Sequence, residues 1–301
     1  MSHYAVAVIT SGKPTEEDLE KIMAPYDEEL EVITYESKAD VIKGVREKIA
    51  SYATEGCYAE YLKDKEAYKE RYKDNPGHIK YLEEEFPLKL RWTDEECYKD
   101  VVRYEEPEDI MPDGSIKHHY NPNAKWDWYS IGGRWCGSLY VDENYTDGTI
   151  GEMSWTYEGD KNAAYGCEYP GYKRVDGAFL KDVNFPNTQQ EIERAKRFWE
   201  IYIEGDNPKD DDEKALVEHE FWKREYYLEN YKTKDNYIKA NSGLILYGVV
   251  TKDGKWYEKG QMGWWGIASN EDCIGWPDTF KKLIWGNVED GDYITVLDCH
   301  V

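Results

Sequence analysis

The sequence has no Cys-x-x-Cys pair, no long run of lysine or arginine, and no apolar stretch near the ~18 residues that a membrane span requires. Each absence excludes something. The six cysteines (Cys57, Cys97, Cys136, Cys167, Cys273 and Cys299) stand far apart, which speaks against a zinc ribbon or a redox motif and for reduced thiols in a cytosolic protein. The opening MSHYAVAVIT lacks a basic n-region and a signal cleavage site, so a cytoplasmic protein is expected, with no membrane partner. With 62 acidic against 38 basic residues the net charge is −24, a field that repels phosphate backbones and disfavours direct nucleic-acid binding. The same field suits a partner with a basic surface; the plainer reading is solvated acidity.

Catalytic signatures are also missing. There is no HExxH, GxSxG, P-loop or kinase motif, and the glycines Gly260, Gly263 and Gly266 are spaced by three, unlike the dinucleotide fingerprint. The stretch Asp142-x-Asn144-x-Thr146-Asp147-Gly148 imitates a calcium loop, but its glycine comes one place late and no glutamate follows at the twelfth position. His118 and His119 are sequential and diverge on an extended chain. No metal and no cofactor is expected.

What is present is 27 Tyr and 12 Trp in 301 residues, against only 6 Phe: a core of rings with polar tips that need hydrogen-bond partners, and a composition that favours globular order. Residues 4–10 read as a buried strand, and Thr15 caps a helix with Glu16, Glu17 and Asp18 in its first turn. Residues 30–35 alternate as a second strand. Ser37 opens a helix whose apolar face is Val41, Val45, Ile49 and Tyr52, and Thr93 caps another through Arg103. From about residue 110 the texture turns to glycine, aromatics and turn signals. A second helical block follows, with one stripe of Ile192, Ala195, Trp199 and Tyr202 and another of Val217, Phe221, Leu228 and Tyr231. Strands return at 244–250 and 255–257 around Lys252-Asp253-Gly254, then a helix near 278–285 and a strand from Tyr293 to Val301. These features predict one α+β domain over 1–301: a mixed, mainly antiparallel sheet that joins the N- and C-terminal strands, with a helical insert at about 37–105 and a second helical block at about 187–237.

Three clusters can carry chemistry. In 118–138, HHYNPNAKWDWYSIGGRWCGS, the rings of Trp126, Trp128 and Trp135 offer stacking surfaces, Arg134 an anion fork, and Asp127 an orienting carboxylate. The alternative is a tight aromatic corner with Gly132 and Gly133 as a bulge and Arg134 paired to Asp127. In 260–276, Trp264 and Trp265 form either core or a binding surface, and an exposed Trp pair fits a homo-oligomer. At the C-terminus, adjacent Cys299 and His300 point to opposite faces of a strand and cannot work as a pair. An enzyme would draw its acid and base from His118, His119 and Asp127, with Arg134 in the same cleft, acting on a nucleotide or a protein side chain. A structural or assembly protein is the third alternative.

The strings YNPNAKWDWYSIGGRW (120–135), KWYEKGQMGWWGI (255–267) and ITVLDCHV (294–301) resemble a family of accessory proteins encoded by bacteriophages and prophage regions. HYAVAVIT and YLEEEFPLKL (81–90) fit the same pattern, so the likeness spans most of the chain. It carries no catalytic assignment. It implies a bacterial cytoplasm and a counter-defence role: a non-enzymatic binding protein that occupies a host effector, one with a basic nucleic-acid-binding face, or that sequesters a small nucleotide signal.

Overall fold

The computed structural model describes residues 2–154, 164–167, 169–263 and 268–301. They form two compact units, one of residues 1–30 with 123–301 and one of residues 31–122. The helical insert read from the sequence at about 37–105 lies within the second of these units, which has cores of its own.

The first unit is built on a seven-stranded sheet. Its strands are β1 (His3–Thr10), β2 (Trp128–Gly133), β3 (Glu152–Met153), β4 (Gly177–Phe179), β5 (Gly248–Val250), β6 (Trp256–Glu258) and β7 (Tyr293–His300). They run in the order β6-β5-β1-β7-β2-β3, with β4 on the same side of β7 as β2. β1 and β7 pair antiparallel over their whole length, from His3 opposite His300 to Thr10 opposite Tyr293. The expected union of the first and last strands is therefore the centre of the sheet. All eight residues of β7 are buried, as a strand covered on both faces requires.

Alternation along these strands separates two cores. Ala5, Ala7, Ile9, Ile294 and Val296 face one way, against Trp276, Phe280 and Ile284 of helix Trp276–Trp285. Tyr4, Val6, Val8, Leu297 and Cys299 face the other, against Leu19 and Met23 of α1 (Glu16–Met23). Each buried Val, Leu or Ile contributes about 1.5–3 kcal/mol. α1 starts where the sequence places it: Thr15 accepts from the Asp18 N–H while Asp18 reaches back to the Thr15 N–H at 3.0 Å. A third core joins Phe198 and Trp199 to Tyr227, Tyr231 and Tyr237.

In the second unit, Ser37 caps helix Lys38–Thr54 and Thr93 caps Asp94–Val102, as expected, and Val41 meets Tyr98 and Ile116. Two local expectations change. The strand expected at 30–35 is ladder-paired only over Thr34–Glu36, with Leu30 and Ile33 left exposed. Phe221 does not belong to an apolar helical stripe: it is 83 % exposed and precedes helix Arg224–Asn230. The calcium-like loop closes on itself, with Asp142 accepting the Asn144 N–H at 2.9 Å, which is turn chemistry. No helix among the described residues is long and apolar enough to cross a membrane.

Candidate ligand-binding site

β2 ends in two consecutive glycines in left-handed backbone, Gly132 at φ +77° and Gly133 at φ +53°. Each lies against a buried carboxylate that leaves no room for a side chain. A Cβ on Gly132 would sit 2.7 Å from Asp176 Oδ2, and one on Gly133 would fall on the Asp298 carboxylate. The two aspartates hold the turn in place. Asp176 accepts the N–H groups of Gly137 (2.6 Å) and Gly151 (2.7 Å) and the Tyr165 hydroxyl (2.8 Å). Burial pushes its carboxyl up from the ordinary range, against the pull of those donors. Asp298 accepts the Arg134 N–H at 2.9 Å and the His3 ring at 2.8 Å. The turn is closed by the Trp135 N–H to the Gly132 carbonyl at 2.8 Å.

This turn places Arg134 on a cleft of about 380 Å³, with Trp135, Tyr140, Arg174, Asn184 and Asn187 among its lining residues. The Arg134 side chain is exposed, and its guanidinium has no hydrogen-bond or ion-pair partner among the described residues. Arg174 donates to the Ala164 carbonyl. Among the described residues the one lining carboxylate is that of Glu191, which is engaged by the Gly243 N–H (2.6 Å) and the Asn187 amide (2.7 Å). Arg134 and Arg174 thus bring two guanidinium groups to a cleft whose described lining holds one carboxylate, in a chain of net charge −24.

Behind the turn lies an arrangement the sequence reading missed. His3 and His300, opposed across β1 and β7, have ring centroids 4.9 Å apart at 73°. Trp128, opposite His300 on β2, stacks on it at 5.0 Å and 15°. Each imidazole gives its Nδ1–H to a carboxylate: His3 to Asp298, and His300 to Asp127 at 2.6 and 2.8 Å. A carboxylate only accepts, so each ring carries a proton on Nδ1. His300 Nε2 is fully buried and has no partner among the described residues. These sealed rings fasten three strands. The only local signal for them was the two-residue spacing of Asp298 and His300, which puts both on one face of β7.

The tryptophans and charged groups expected to share a site are thus distributed. Trp126 precedes β2, bridges to Asp27, donates its indole N–H to the Met23 carbonyl at 3.2 Å and joins the α1-side core. Asp127 belongs to His300, and Trp128 covers that ring while remaining 44 % exposed. Of the expected residues that are described, only Arg134 and Trp135 reach the cleft. The alternative in which Arg134 pairs with Asp127 beneath the rings is not what forms: the backbone N–H of Arg134, not its guanidinium, is the group that is tied down. His118 and His119 lie in the second unit, where His118 meets Glu36 at 3.2 Å and His119 meets Glu31 at 2.7 Å and Asp109 at 3.0 Å. Trp264 and Trp265 lie outside the described residues. No group of three or more His, Cys, Asp or Glu among the described residues is arranged to hold a metal ion. Cys299 is fully buried on the face opposite His300, and burial drives its thiol well above the ordinary range.

Comparison with protein-family models, with curated proteins and with solved structures gives no match for this chain.

Proposed function

We propose that the chain is a non-enzymatic binding protein whose Arg134 cleft takes a small anionic ligand of the nucleotide class. One observation carries the reading: the Arg134 guanidinium is exposed on this cleft with no carboxylate of its own among the described residues. Trp135 and Tyr140 supply rings beside it, Asn184 supplies an amide, and Arg174 a second guanidinium. The resemblance to phage accessory proteins supplies the setting: a bacterial host cytoplasm in which withdrawing a nucleotide signal blunts host defence.

Calorimetric titration with mononucleotides, cyclic dinucleotides and short oligonucleotides tests this. A charge-assisted hydrogen bond is worth about 1.5–3 kcal/mol, so Arg134→Ala should weaken the bound nucleotide about 10- to 150-fold. Arg134→Lys should recover only part, because a point charge cannot fork onto a phosphate. Trp128→Ala should change little, since that indole is stacked on His300. A nucleotide that binds equally well to Arg134→Ala, or no nucleotide binding at millimolar concentration, refutes the proposal.

A further inference from the structure

A second cleft, of about 730 Å³, opens beside α1 on the opposite face of the sheet from the His3–His300 pair. Its floor is Tyr129 and Ile131 of β2 with Thr295 of β7; its walls include Glu16 and Glu20 of α1 and Glu152 of β3. Lys13, on its rim, donates to the Gly148 carbonyl at 3.4 Å. None of the Glu16, Glu20 and Glu152 carboxylates has an ion-pair or hydrogen-bond partner among the described residues. Glu16 and Glu20 are one helical turn apart, a like-charge spacing that costs α1 a few tenths of a kcal/mol. Burial first, then the nearby Glu20 carboxylate, raises the Tyr129 phenol to about 12.

The floor adds an independent feature. Thr295 is 1 % exposed, and its hydroxyl is buried with no hydrogen-bond partner among the described residues. A buried hydroxyl left unpaired costs about 1–3 kcal/mol. Thr295 lines this cleft from the sheet face that Tyr129 and Ile131 share, so its hydroxyl lies just beneath the floor that an entering donor meets. The walls want a cation, the apolar floor wants methylenes or a flat π-surface, and Thr295 wants a hydrogen-bond partner. An arginine side chain meets all three: an aliphatic stem, a planar face for the Tyr129 ring, and five N–H donors in a fork. No three acidic, His or Cys groups among the described residues are arranged to share a metal ion, which directs the choice to an organic cation.

We infer that the Glu16/Glu20/Glu152 cleft is a protein-docking surface that receives an arginine from a basic partner. The net charge of −24 steers such a partner inward, and the cleft fixes where it docks. This surface is separate from the Arg134 cleft and stands or falls without it.

The test is methyl NMR of the full chain, labelled at Ile131, Ile150, Thr149 and Thr295, titrated with the peptide acetyl-Gly-Arg-Gly-amide at physiological salt. Saturable shifts at Thr295 and Ile131 are expected. The citrulline analogue, with the same shape but no charge, should bind about tenfold more weakly, as should the peptide to Glu16→Gln/Glu20→Gln/Glu152→Gln. Thr295→Val should weaken it about threefold. Neutralising Glu47, Glu70 and Glu84, in the second unit, should leave binding unchanged. The inference fails if citrulline binds as well as arginine, if the second-unit triple variant weakens binding as much as the cleft variant, or if spermidine shifts the same methyls while the arginine peptide does not.

Discussion

His3 and His300, from opposite ends of the chain, are direct cross-strand neighbours, and each is held by its own aspartate. Asp298 is the hinge of this arrangement, because it serves both the His3 ring and the Arg134 N–H. Asp298→Asn replaces an acceptor of two bonds by a group with one acceptor and one donor, at a site that is 2 % exposed. Urea denaturation should show a loss of about 2–4 kcal/mol, since a buried donor is left facing an N–H₂. A loss below about 1 kcal/mol would remove Asp298 from this role.

Gly133 and Gly254 offer a paired comparison. Both have positive φ, +53° and +75°, but a Cβ on Gly133 strikes Asp298 while one on Gly254 has nothing within 4 Å. Gly254→Ala should cost about 1–2 kcal/mol for the backbone alone. Gly133→Ala should cost clearly more, about 3–5 kcal/mol, and should also displace the Arg134 turn. Thermal denaturation of the two variants decides between a conformational and a steric requirement.

Arg134→Ala should leave unfolding free energy within about 0.5 kcal/mol of the parent, because the lost guanidinium is exposed and unpaired among the described residues. A normal urea midpoint with lost nucleotide binding would separate recognition from folding at this position. Large destabilisation would instead place the side chain in the scaffold.

The second unit should carry a pH-dependent contact at His119. Hydrogen bonds donated by the His119 ring to Glu31 and Asp109 raise the His119 pKa, and the same His119 bond lowers that of Asp109. A histidine whose folded value is raised stabilises fully below its unfolded value of about 6.5 and loses that contribution as pH climbs through the folded value. Asp109 works in the other direction: its contribution is present above its unfolded value and is lost as pH falls through the folded one. The contact is therefore strongest between the carboxylate range and the ordinary histidine value. The melting-temperature difference between the parent and His119→Gln should peak there and vanish on the alkaline side. A difference that stays constant from acid to alkaline pH would mean that no ion pair is involved.

Thiol chemistry should follow burial. Cys57 and Cys167 are half-buried, whereas Cys97, Cys136, Cys273 and Cys299 are buried. Burial also raises the thiols of Cys136, Cys273 and Cys299, lowering their thiolate fraction. Mass spectrometry after brief exposure of the native protein to an aromatic disulfide should find label on Cys57 and Cys167 first. Label on Cys299 before unfolding would show that the sheet opens.

Much of the scaffold was legible because its signals are local. Thr15, Ser37 and Thr93 are N-cap residues beside acidic turns, and each starts the helix expected of it. The apolar run at β1 and the run at β7 announced buried strands. The candidate site was legible only in part. Arg134 and Trp135 reach a cleft, but their sequence neighbours Trp126, Asp127 and Trp128 go elsewhere, because the chain joins the sheet only at Trp128 and Trp126 turns to the α1 side before it. The His3–Asp298 and His300–Asp127 bonds follow from the register between distant strands, and no local pattern encodes register. The expected strand at 30–35 and the Phe221 stripe show the reverse failure: favourable periodicity with no surface to cover it.

The place of β7 has a consequence for biosynthesis. It lies between β1 and β2, yet it is the latest of the seven strands in the sequence. Until it emerges from the ribosome, β1 and β2 have nothing to bridge them, and their edges stay open to wrong partners. The nascent first unit must therefore wait, half-assembled, for its keystone, and any helper that shields those early edges acts before β7 has been made.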